Sequence, residues 1–118
     1  MLTDRVVSKS LLGRLAEELA KAYRVPRFRV AQEMRMTWSA VAQASKPFKA
    51  SDRVLLSMAD VLRRHGLTIG EDDAALVAKL KEWSEMAAHD ASGEFVEFVE
   101  AIHRAGRAAL ESAAKEAR

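Results

Sequence analysis

Apolar residues in this 118-residue chain recur almost everywhere at steps of three and four, and no segment alternates convincingly with a period of two. That spacing lays a stripe along one side of an α-helix, which confines the chain to an all-α fold. Ser10 is a good N-cap, and Leu11, Leu12, Leu15, Leu19 and Tyr23 after it predict a helix over about 10–23, stopped by Val25-Pro26. Phe28 to Met34 predicts a short second helix and Trp38 to Ala44 a third. Lys46-Pro47 closes the third, because the residue before a proline resists the helical region. Ser51 then caps a fourth helix with Val54, Leu55, Met58, Ala59 and Leu62 on its apolar side, ended by Gly66.

Beyond Gly70 the character changes. Glu71, Asp72 and Asp73 put negative charge where a helix macrodipole favours it, and Leu76, Val77, Leu80, Trp83 and Met86 predict a fifth helix reaching about His89. Asp90 to Gly93 is a break with capping residues, and a last helix runs from Glu94 with Phe95, Phe98, Val99, Ile102, Gly106, Ala109 and Leu110 on one side. Its second half is rich in Ala and Gly, which permits close helix-to-helix approach. More apolar length is offered than one helix on a small domain usually buries, so those seven residues are expected to form a homodimer seam, the alternative being simple packing on their own domain.

Size and composition narrow the function classes. A chain of this length removes roughly two-thirds of its unfolded surface from water and needs no staple to fold. It contains no cysteine, which excludes a disulfide framework, a thiolate zinc site and a cysteine nucleophile. Apolar runs fall far short of the roughly 20 residues of a membrane span, and the N-terminus lacks a leader core, so a cytoplasmic protein is expected, nucleoid-associated when bound to DNA. The net charge of +2 hides an asymmetry: residues 1–67 carry 13 Lys and Arg against 6 Asp and Glu, whereas residues 68–118 carry 6 against 11. The first part has the sign of a polyanion-binding surface and the second is acidic. The expected organisation is a DNA-binding part over 1–67 and an acidic helical segment over 68–118 for dimerisation or partner contact.

The most specific stretch is VAQEMRMTWSAVAQAS, Val30–Ser45. Two helices folded around a turn need a small residue where they cross, an apolar residue just past the turn, and an apolar anchor about ten positions after the small one. Ala31, Met36 and Val41 supply these in order, with Val30, Met34 and Ala44 adding to the buried side. Trp38, Ser39, Ala42 and Gln43 are left facing outward on the second helix. Ser39 and Gln43 can hydrogen-bond base edges, and Trp38 can touch a thymine methyl or a sugar. Arg27, Arg29, Arg35, Lys46 and Lys49 surround them, matching a division in which cations hold phosphates while a helix reads bases.

In this spacing and in its surroundings the stretch resembles the helix-turn-helix of the lambda-repressor-like (phage repressor and Cro) family. That family places one helix before the motif and another after it with a Leu-x-x-x-Ala-x-x-Leu face, where Leu55, Ala59 and Leu62 stand here. The resemblance covers about residues 10–67. It implies a compact DNA-binding domain of four or five helices, usually dimeric, that regulates transcription, with Trp38, Ser39 and Gln43 towards bases and Arg27 towards a phosphate. One position departs: Arg35 stands where the turn commonly has glycine, and a left-handed non-glycine residue costs on the order of 1 kcal/mol.

Other chemistry is thin. His65, His89 and His103 form no pair at metal-binding spacing, and His65 beside Gly66 is expected to satisfy helix-end carbonyls. Asp72 and Asp73 are explained by their helix start, and no glycine-rich phosphate loop or nucleophile elbow is present. Neither an enzyme, a metal site nor a cofactor is expected. The expectation is a small all-α helix-turn-helix bundle with an additional C-terminal helix, regulating transcription as a homodimer on a two-fold operator in double-stranded DNA. Its acidic segment could meet the transcription machinery, and Ala- and Arg-rich composition hints at a bacterial or phage source. The competing expectation is a protein-interaction module, such as an anti-activator or a phage-encoded host-targeting factor, binding another protein through Trp38 and its neighbours.

Overall fold

The structure, a computed structural model, describes residues 9–116. The expectation of no leader therefore rests on residues that include 1–8, outside the described ones. The fold is all-α, with six helices among the described residues: α1 Leu11–Tyr23, α2 Arg27–Glu33, α3 Trp38–Ala44, α4 Asp52–Arg64, α5 Asp73–Ser84 and α6 Gly93–Glu116. No helix among the described residues is long and apolar enough to cross a membrane.

Side-chain caps set most of the helix starts. Ser10, Thr37, Ser51 and Asp72 each accept a hydrogen bond from the backbone N–H three residues on, satisfying a donor the helix leaves free. The cap at α2 is Pro26, which supplies no side-chain acceptor but has the backbone angle of a helix entry. At the far end of α4, Gly66 takes φ of 77° and turns the chain out.

Helix α5 ends at Ser84, short of the expected His89. The reason is a non-helical junction that takes the backbone groups of the next residues. Leu11 N donates to Met86 O at 2.9 Å, Ala88 N to Lys9 O at 2.7 Å, and Phe48 N to Ser84 O at 2.9 Å. Ser10 N donates to Ser45 O at 2.7 Å, so the start of α1, the end of α3 and the end of α5 are tied at one point. Ala88–Asp90 then makes a single 3-10 turn before α6.

One core runs through the chain. Leu11, Leu15 and Leu19 of α1 meet Met58 and Leu62 of α4, Leu76, Leu80 and Trp83 of α5, and Phe95 and Ile102 of α6 in a continuous buried cluster. Trp83 is fully buried, with Phe95 edge-on at 5.1 Å between ring centroids. Arg14 adds its guanidinium 5.1 Å over the same Phe95 ring and donates to Ala88 O at 3.1 Å.

The expected dimer seam is largely spent inside the chain. Phe95, Phe98, Ile102 and Gly106 are buried, and Val99 is half-buried against the same cluster. Burying each large side chain is worth about 1.5–3 kcal/mol, so folding takes first claim on this stripe. Of the seven residues, Ala109 is exposed and Leu110 half-buried, on the part of α6 that runs beyond the core. An amphipathic stripe fixes which side of a helix is covered, and here α1 and α5 cover it. His103 Nε2 and Glu18 Oε1, 2.7 Å apart, add a polar tie between α6 and α1.

Gly106 marks the closest approach of α6 to α1. A Cβ placed there would stand 2.3 Å from Ala22 O and 2.7 Å from its carbonyl carbon, and backbone cannot give way as a flexible side chain does. Gly106→Ala should therefore destabilise the fold by about 1–3 kcal/mol, the range for overpacking a close contact, measured by chemical denaturation. An unchanged denaturation midpoint would contradict this packing of α6.

Candidate nucleic-acid interface

Two short helices, α2 and α3, are joined by a turn over residues 34–37 and packed by the residues the spacing indicated. Ala31, Met34 and Val41 are buried, and Met36 is half-buried against the core. The turn closes through Met36 N donating to Ala31 O and Arg35 N to Gln32 O, both at 2.9 Å. Arg35 adopts φ of 60°, so the expected left-handed residue is indeed at this position and carries its steric cost.

The seven residues of α3 and its C-cap Ser45 sort onto three sides. Val41 and Ala44 point into the core. Trp38, Ala42 and Ser45 share the next side by their spacing of four and three, and line a cleft of about 220 Å³ against α1 and α2. Ser39 and Gln43, one turn apart, are exposed on the remaining side together with Ala40. Thr37 Oγ1 accepts from Ala40 N at 3.1 Å and fixes the start of the helix.

The base-facing candidates thus divide. Ser39 and Gln43 are free to contact a ligand, whereas Trp38 is half-buried with the Arg27 guanidinium 5.6 Å above its ring. A cation over an indole face is worth about 0.5–1 kcal/mol at an exposed site, and here it orients Arg27 across the cleft mouth. Trp38 therefore offers only part of its ring to solvent, with Arg27 over one face.

The phosphate-facing candidates divide as well. All five of Arg27, Arg29, Arg35, Lys46 and Lys49 are exposed. Arg27 and Lys46 come together in the cleft beside Trp38, joined by Lys9. Arg29 lies elsewhere: two residues along a helix turn it by roughly 200°, and it lines a separate cleft between α1, α2 and α4. Lys9 and Glu17, which complete the Trp38 cleft, were not among the candidates. Glu17 looks in sequence like an ordinary solvated position of α1, and its cations lie eight and ten residues away.

Phe48 was missed for another reason. It follows Lys46-Pro47, which reads as a plain helix stop, yet it takes φ of 66° and leaves 72% of its surface exposed. A bulky residue in that region is strained, and nothing in the core rewards it. Phe28 on α2 is also exposed, so two aromatic rings stand in solvent on this part of the chain.

The Arg29 cleft has its own polar set. The Tyr23 and His65 rings stand 4.4 Å apart, and His65 Nε2 lies 3.0 Å from Glu33 Oε1. The His65 ring therefore meets a carboxylate instead of helix-end carbonyls; the last carbonyls of α4 are taken by backbone N–H groups, Gly66 N to Arg63 O and Leu67 N to Leu62 O, both at 2.9 Å, while Arg64 donates to Glu33 O at the end of α2 at 2.9 Å. Burial, followed by the Glu33 charge, raises the Tyr23 phenol above its ordinary value. Among the described residues no group of three or more acidic or imidazole side chains could hold a metal ion.

Comparison with family models, with curated proteins and with solved structures finds no match to this chain.

The Tyr23 environment makes stability depend on alkaline pH. A phenol whose folded pKa exceeds its unfolded value near 10 holds its proton more tightly when folded, so its contribution is full below pH 10 and is lost as pH rises through the folded value. Tyr23→Phe should lose less stability than the parent between about pH 9.5 and 11, followed by denaturant midpoint across that window. Parallel pH curves would show that the phenol is not coupled to folding.

Proposed function

We propose that this chain is a DNA-binding transcriptional regulator whose α2–turn–α3 unit presents Ser39 and Gln43 to base edges in the major groove. The observation that carries the reading is the pairing of two neighbouring sides on α3. One is small, polar and exposed, and the other opens on a cleft where Arg27, Lys46 and Lys9 gather. Serine and glutamine hydrogen-bond bases, while cations beside them hold the backbone in register. The resemblance of residues 10–67 to the lambda-repressor-like family supports the same assignment, as does the basic balance of residues 1–67. Arg35 and Lys49 extend the positive surface on either side of α3, and the cytoplasm is the compartment for such a regulator.

Pairing on a two-fold operator belongs to this proposal with a narrower surface than the full α6 stripe. Ala109 and Leu110, on the outer part of α6, are the seam residues still reachable by a second copy. No enzymatic step, cofactor or metal is required.

A second reading keeps the same surface for a protein partner. Exposed Phe48 and Phe28 favour it, because aromatic side chains are enriched among the anchors of protein interfaces.

One titration separates the two. Affinity for a random-sequence 20-base-pair duplex should fall by about 10²-fold between 50 and 200 mM salt if four or five phosphates are held. Arg27→Ala/Lys46→Ala should flatten the log–log salt slope by nearly 2, whereas Arg29→Ala, on the other side of α2, should change it less. Absence of binding at 50 mM salt would end the DNA reading, and loss of partner capture on Phe48→Ala would then support the second.

A further inference from the structure

The cleft beside α3 holds an anion of its own. Glu17 projects from α1 beneath Arg27, and one carboxylate oxygen, Oε2, accepts from Lys9 Nζ and lies 3.8 Å from an Arg27 guanidinium nitrogen. Lys46 lines the same cleft, and Glu17 is the one carboxylate in its lining. A carboxylate set between a lysine and an arginine occupies the charge partners that a backbone phosphate would use.

Stability does not account for this carboxylate. Its cations are substantially exposed, at 40% for the Lys9 side chain and 61% for Arg27, and ion pairs of that kind are worth little. Glu17 is not a capping residue, and its side chain, 20% exposed, is held at the cleft wall by these two cations. Its effect is electrostatic and local. It neutralises part of the positive charge that the proposed interface gathers, in the cleft where Lys9, Arg27 and Lys46 meet.

We infer that Glu17 is an internal stand-in for a DNA phosphate, and that it lowers affinity by making an incoming phosphate displace it from Lys9 and Arg27. The inference rests on the DNA-binding reading and adds to it a device that sets its strength. Without Glu17, Lys9 and Arg27 would be available to phosphate from the start, and binding would be tighter, more salt-dependent and less dependent on base contacts. With Glu17, non-specific sites hold the protein weakly, and contacts from Ser39 and Gln43 make up a larger share of the difference between sites. Discrimination improves at the expense of raw affinity.

The test uses the full chain and the same random-sequence duplex. Glu17→Gln should bind it about 5–50-fold more tightly at 50 mM salt, with a log–log salt slope steeper by no more than about 1, because one carboxylate fewer offsets the cations of the cleft while Arg27 engages phosphate in either form. Glu17→Ala should show the same gain. Glu18→Gln makes an equal change in net charge on the neighbouring residue, which instead meets His103, and should alter affinity less than about twofold. Circular dichroism of each variant establishes that the helices are retained. If wild type binds and Glu17→Gln binds equally or more weakly, or if Glu18→Gln gives a matching gain, Glu17 does not stand in for a phosphate and only this inference falls. If neither wild type nor Glu17→Gln binds at 50 mM salt, the DNA-binding reading falls with it.

Discussion

The backbone junction around Ser10 holds the rest in place. Ser10 is fully buried and acts twice: its Oγ accepts from Gly13 N to start α1, and its own N–H goes to Ser45 O at the end of α3. Leu11 N and Lys9 O reach to Met86 and Ala88 on either side. Ser10, Leu11, Gly13 and Ser45 are buried, where an unpaired backbone group costs about 1–3 kcal/mol, so the partners of their N–H groups are obligatory. A bundle made only of apolar stripes allows helices to slide along one another. Four directional bonds at one corner remove that freedom and fix α3 against α1.

Gly13 makes the corner possible. A Cβ there would lie 2.6 Å from Ser45 Cβ and 3.0 Å from Ser45 O, so α3 ends against bare backbone. Because Val41, Ala44 and Ser45 are thereby seated on α1, the other sides of α3 are oriented too, with Trp38 towards Arg27 and Ser39 and Gln43 outward. Rigidity here is paired with local strain at the two turns that flank α3, where Arg35 and Phe48 adopt left-handed angles without glycine. Both side chains are exposed, so the stability cost is borne in the turns just before and after α3 and not in the core.

Much of this was legible in the residues, and the limits have physical causes. Helix starts could be read because Ser10, Ser51 and Asp72 act within three residues of themselves. The crossing of α2 and α3 could be read because Ala31, Met36 and Val41 are close in sequence as well as in space. The end of α5 could not, since it is decided by N–H and C=O groups from residues 9–11 and 48, which carry no side-chain signature. Nor could the use of the α6 stripe: Phe95 and Ile102 announce that they will be covered, but not by what. Arg27 and Arg29 look alike in a list of cations, and only the turn of the helix sends one to the α3 cleft and the other away from it. The Lys9–Glu17–Arg27 set joins a loop residue to two different helices, a relation that helical periodicity does not encode.

The Ser10 corner also has a consequence for the order in which the protein is made. Every side chain proposed to touch DNA lies before residue 54, yet Ser84 O and Met86 O, which receive Phe48 N and Leu11 N, come some 40 residues after Ser45. A ribosome that has released only the first 67 residues has delivered the whole binding surface without the carbonyls that anchor it. Closing a loop of that length carries an entropic cost that is recovered only when α5 docks. Helices α2 and α3 therefore reach their final setting late in synthesis, and a chain broken off early carries their residues without part of the frame that holds them.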